Sequence, residues 1–197
     1  MADSAKPNGK LTTGAVGGFL LAGSFILMFV SGGVAMAGGG GADGAGGGGF
    51  LGLISFILML AGGITHAMGF FGLGSIYGGT NGIAGVFSII LGIAPVLAIL
   101  LPILGGLSML KISMIVLFGS AGLAGVLGGG GLMAAKSALA KPAGIVLLVG
   151  GIGALGLLLG MFGILPLSIL AIFGYVGILG LAAGFLLSGI TMLGERG

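Results

Sequence analysis

From Ile83 to Ala135 the chain carries a single charged residue, Lys111. A stretch that long with one ion cannot cover a water-facing surface, and a hydrocarbon environment becomes the only solvent that suits it. The rest of the chain follows suit. Of its 197 residues 57% are hydrophobic and 5% charged, where soluble domains charge roughly a quarter of theirs. Mean hydropathy is +1.38. Disorder requires low hydrophobicity. The 50 glycines do not recur every third residue and stand beside only five prolines, so a collagen-like chain is excluded. The chain reads as an integral membrane protein.

The apolar runs divide at charges, glycine clusters and prolines, and each span needs about 20 residues. The expected spans are 11–37, 50–71, 83–104, 110–132, 143–162 and 165–192. Around them lie a polar tail at 1–10, a flexible glycine-rich loop at 38–49 holding Asp43, and a short tail at 194–197. The stretch GLGSIYGGTNG (Gly72 to Gly82) reads as a connection. A turn falls between Leu101 and Ser113, and AAKSALAKP (Ala134 to Pro142) and GILP form the later breaks. Runs such as ISFILML do not alternate, which excludes a membrane β-barrel. The predicted fold is all-α, a single bundle of six transmembrane helices at 11–193.

Charge placement tests the count independently. With alternating spans and a cytoplasmic N-terminus, Lys6, Lys10, Lys136, Lys141 and Arg196 lie inside, and Lys111 lies outside with Asp43. This places the protein in the inner, cell membrane with both termini cytoplasmic. It also accounts for the net charge of +3 without nucleic acid. Residues 1–37 offer a second reading as a cleaved signal peptide, with AMA (Ala35 to Ala37) as the cleavage site. The run from Leu11 is counted here as a retained span.

Small residues recur four apart at Gly14, Gly18 and Ala22, at Ala121, Gly125 and Gly129, at Gly156 and Gly160, and at Gly180, Gly184 and Ser188. That spacing aligns them on one helix face, where backbones approach closely. At this glycine content GxxxG arises by chance on the order of a dozen times, so the total weighs more than any single match. It points to a tightly packed bundle and to contacts with other chains or cofactors. The GxGxxG match at Gly151, Gly153 and Gly156 lies in an apolar run without a preceding soluble strand, and is not read as a nucleotide site.

Polar candidates are few. His66, the one histidine, lies about 24 Å along its span from Phe50, toward the cytoplasmic side. Its simplest role is a neutral imidazole satisfied by a carbonyl, hydroxyl or water; a proton-linked or gating role and contact with a bound haem, quinone or pigment are the alternatives. The spans hold no Asp or Glu, which argues against proton pumping. Lys111, beside a turn, is expected to extend to the membrane surface, and Pro95 is the expected mid-span kink. With no cysteine and one histidine, no metal site is expected within the chain, and no catalytic constellation can be assembled.

The reading is a non-enzymatic membrane protein, a structural or accessory subunit of a membrane complex or a self-assembling scaffold. Its expected partners are membrane lipids and other membrane subunits or further copies of itself. The sequence requires no cofactor, and bound lipid, quinone or pigment stay open. The alternative is a passive channel or carrier for a small neutral or weakly charged solute, with Thr65, His66, Ser75, Tyr77 and Asn81 near its inner mouth.

Overall fold

The computed structural model describes residues 8–37 and 42–196. The expected tail up to residue 7, residues 38–41 of the expected loop, and Gly197 lie outside the described residues. The described chain is helical, with α1 (Asn8–Ala37), α2 (Ala42–Tyr77), α3 (Asn81–Gly106), α4 (Ser108–Leu132), α5 (Ala140–Met161) and α6 (Leu167–Gly194). All six contain a stretch long and apolar enough to cross a membrane.

Three connections show how the sequence sets the breaks. Between α3 and α4 the sole non-helical residue of the described stretch Asn81–Leu132 is Gly106, at φ 67° and ψ −157°. Only glycine enters that region without strain. Pro95 and Pro102 keep helical dihedrals, so the turn comes from the glycine, and the kink expected at Pro95 is not a break in the helix. After α5, Gly163 takes φ 70°. Its N–H bonds to the Gly160 carbonyl and that of Ile164 to Leu159, which is the Schellman arrangement. Pro166, extended at ψ 150°, then starts α6. After α2 the turn uses Gly78 and Gly79, both at φ 64°.

Two expected connections are shorter than the composition suggested. Residues 42–49 of the glycine-rich segment belong to α2, because extending an existing helix costs little even through glycine, whereas nucleating one does not. Likewise Gly72 to Tyr77 stays helical, leaving only Gly78 to Thr80 outside α2 and α3.

The helices pack in a ring in chain order, each beside the next, and α6 closes against α1. Glycine lies at each of the following contacts. A Cβ on Gly63 would lie 2.5 Å from Gly92 Cα between α2 and α3. One on Gly125 would lie 2.7 Å from Gly151 Cα between α4 and α5, and one on Gly180 2.7 Å from Gly150 Cα between α5 and α6. On Gly18 it would meet Phe185 O at 2.6 Å, where α1 and α6 close the ring. Size is sorted accordingly, with small residues between the helices and Phe25, Phe70, Phe185 and Leu181 buried inside. Branched and aromatic residues such as Ile26, Ile57, Ile90 and Ile172 face outward, as lipid contact demands.

The ring has two unlike ends. Thr80 reaches α4's last turns and Tyr77 reaches Glu195, so the starts of α1, α3 and α5 and the ends of α2, α4 and α6 share one face, here called the terminal face. Lys111 is exposed near the opposite face, one turn into α4.

Candidate functional site

His66 sits where α1, α2 and α6 meet, and it is wholly buried. Glycine brings it there. A Cβ on Gly17 would overlap the backbone of His66, and one on Gly14 that of Gly69, so α1 lies flat against α2 at this level. The approach puts the Gly14 carbonyl 2.9 Å from His66 Nδ1. From the other side, Ser188 of α6 places its hydroxyl oxygen 3.2 Å from Nε2. Phe70 and Phe185 meet the imidazole edge to face, with ring centroids 4.8 and 5.3 Å away, and Phe185 stacks on Phe25 at 5.8 Å.

Proton accounting defines the state of this cluster. A carbonyl only accepts, so Nδ1 carries a proton and donates to Gly14. In a neutral ring Nε2 then accepts, and the Ser188 hydroxyl donates to it. The same hydroxyl is 2.8 Å from the Phe185 carbonyl and has one proton for two acceptors. An imidazolium would fill both bonds, with Nε2–H donating to Ser188 and Ser188 to Phe185. Yet no carboxylate among the described residues lies beside it, and a lone buried cation is costly. The arrangement fits a neutral imidazole that ties three helices together.

The other polar candidates do not join His66. The Thr65 hydroxyl donates to Ala61 O at 2.7 Å, and that of Ser75, exposed, to Gly72 O at 2.7 Å, both within their own helix. Tyr77 and Asn81 lie at the terminal face, about 16 Å or more along the chain axis from His66. There the Tyr77 phenol donates to Glu195 Oε2, and the Ser137 amide donates to Glu195 Oε1. Thr80 donates to Leu127 O at 2.8 Å, and Asn81 Nδ2 to Gly78 O at 3.1 Å. Asn81 is buried beside Gly131, and its Oδ1 has no partner among the described residues. The five candidates therefore divide into a buried tie at His66, two self-satisfied hydroxyls at Thr65 and Ser75, the Tyr77 latch, and a separate buried amide at Asn81.

Glu195, Ser188 and Ser137 escaped the sequence reading. Glu195 read as a tail charge and Ser188 as a small residue in a spacing pattern. One sequence signal bore on Glu195: it is the carboxylate three residues past the last expected span, on the side where the second span also ends. The GxGxxG residues Gly151, Gly153 and Gly156 lie inside α5 and pack on Val126, Gly177 and Phe173, so they form no phosphate-binding turn.

The glycines expected from spacing lie at helix contacts. Beyond those already described, Gly129 faces Gly144 O, Gly156 faces the Phe173 ring, Gly160 faces Leu170 and Gly184 faces Leu147, and Ala121 is buried. On the outer surface, Ile145, Val149 and Leu179 border a groove of about 410 Å³ between α5 and α6, with Tyr175 on its wall.

No protein-family model matches this chain, and neither a curated protein nor a solved structure matches it significantly.

Proposed function

We propose that this multi-pass membrane protein is a structural or accessory subunit of a membrane complex, without enzymatic activity, held in the inner membrane with both termini cytoplasmic. The observation that carries the reading is the state of the interior. The buried hydroxyls of Ser24, Ser55, Ser88, Ser113, Ser120 and Thr191 each donate to a backbone carbonyl, and buried apolar side chains pack among them. Among the described residues these hydroxyls are all engaged by backbone, which favours the outer surface over the interior as the working part.

Tyr175 supports a protein partner there. It is 58% exposed, packs edge to face on Phe29 at 6.0 Å, and lies about 12 Å inside the far end of α6. Its hydroxyl has no partner among the described residues, and in hydrocarbon only another protein or a polar lipid group supplies one. The glycines at the helix contacts, by contrast, are engaged within the chain and give no separate argument for a partner.

Purification of tagged full-length chain in mild detergent, followed by mass spectrometry, tests the reading. Stoichiometric membrane proteins, or a discrete homo-oligomer, are expected, with recovery reduced by Tyr175→Ala. A lone monomer that retains no protein would sink it.

A further inference from the structure

The Glu195 latch lies beside two cations, and uncharged donors occupy both of its oxygens. Its two oxygens accept from the Tyr77 phenol and the Ser137 amide, and neither donor is a cation. Lys136 precedes Ser137 and Arg196 follows Glu195, so the same hydrogen bond that joins the α4–α5 connection to the end of α6 brings a lysine and an arginine to one corner of the terminal face. The approach is close, since a Cβ on Gly194 would lie 3.0 Å from the Ser137 hydroxyl. Lys10 and Lys141 are exposed on the same face. Arg196 Nε is buried and has no hydrogen-bond partner among the described residues. A guanidinium donor removed from water needs an acceptor, and its planar fork matches the oxygens of a phosphate.

We propose that this corner binds the phosphodiester of an anionic membrane lipid, with Arg196 and Lys136 as the ligands and Lys10 and Lys141 adding longer-range attraction. Its position at the ends of the spans puts it at headgroup depth, where basic groups between helices meet anionic lipids. The inference does not depend on the subunit reading.

Native mass spectrometry of the full-length protein in detergent, titrated separately with phosphatidylglycerol, phosphatidylcholine and inorganic phosphate, tests it. Phosphatidylglycerol adducts are expected to persist about tenfold better than phosphatidylcholine adducts, and to weaken as salt rises. Arg196→Gln with Lys136→Gln should remove that preference, and Lys111→Gln on the opposite face should keep it. Equal retention of the two lipids by the unmodified protein overturns the proposal, as does an equal loss in Lys111→Gln. Binding of inorganic phosphate without any preference for phosphatidylglycerol overturns the lipid assignment. The comparison of lipids on the unmodified protein decides the matter even where a variant does not fold.

Discussion

Both nitrogens of the His66 imidazole face groups on other helices. It bonds α1 through Gly14 and α6 through Ser188 while belonging to α2, so one side chain holds a three-helix junction. Ser188→Ala removes the partner of Nε2 and should destabilise the protein by about 0.5–1.5 kcal/mol, in the range of hydrogen bonds between membrane helices. His66→Ala also empties the space between Phe70 and Phe185 and should cost more, about 2–4 kcal/mol. Unfolding titrations in mixed micelles measure both. The double variant should cost less than the sum of the two by about 0.5–2 kcal/mol, because the residues share a bond. Strict additivity would refute the tie. The candidate site was half legible at this scale: a lone histidine in an apolar span marks itself. Its partners do not, because a backbone carbonyl of one helix and a serine of another look ordinary in a list of residues.

At the scale of helices, glycine has two distinct uses. Gly106 lies where a side chain is strained, and Gly106→Ala should destabilise by about 1–3 kcal/mol and loosen the α3–α4 hairpin. Gly63 is helical but leaves no room for a Cβ against Ser88 O and Gly92, both 2.5 Å from it. Gly63→Ala should force α2 and α3 apart, costing about 1–3 kcal/mol. Gly52, with open space around its Cβ position, is the control. There alanine should be neutral or stabilising by up to about 1 kcal/mol, through helix propensity. Thermal melts of the purified variants would check the order, and equal effects at Gly63 and Gly52 would contradict the packing described here. Spacing patterns predicted that small residues would sit between helices. They could not say that Gly14 faces α2 while Gly18 faces α6, since a helix at a corner turns adjacent parts of one stripe toward different neighbours.

The whole molecule is a closed ring in chain order, and that arrangement limits mechanism. Two three-helix halves related by a two-fold axis in the membrane plane would run round the ring in opposite senses, and here α1 to α6 run in one sense. The inverted-repeat exchange used by many transporters is therefore not built into this chain. Topology is directly testable because the sequence contains no cysteine. With the terminal face cytoplasmic, Lys111→Cys should react with an impermeant maleimide in intact cells, and Ala138→Cys only after permeabilisation. The reverse pattern would invert the proposed orientation. The Glu195 latch belongs to this scale too. Glu195→Ala should raise amide hydrogen exchange across 133–139 while leaving the middle of α2 protected, as the loss of one tether at one end requires.

The solvent, the all-α architecture, the number of spans and the approximate positions of the breaks are legible in the residues alone. Each of these follows from local quantities: hydropathy over a bilayer-length window, the rarity of ions, and glycine or proline at a turn. Folding in three dimensions sets which helices adjoin, that glycines of neighbouring helices meet, that His66 pairs with Gly14 and Ser188, and that Glu195 joins Tyr77 to Ser137. Those contacts bring together residues far apart in the chain, and hydropathy, uniform around such apolar helices, carries no record of which face meets which.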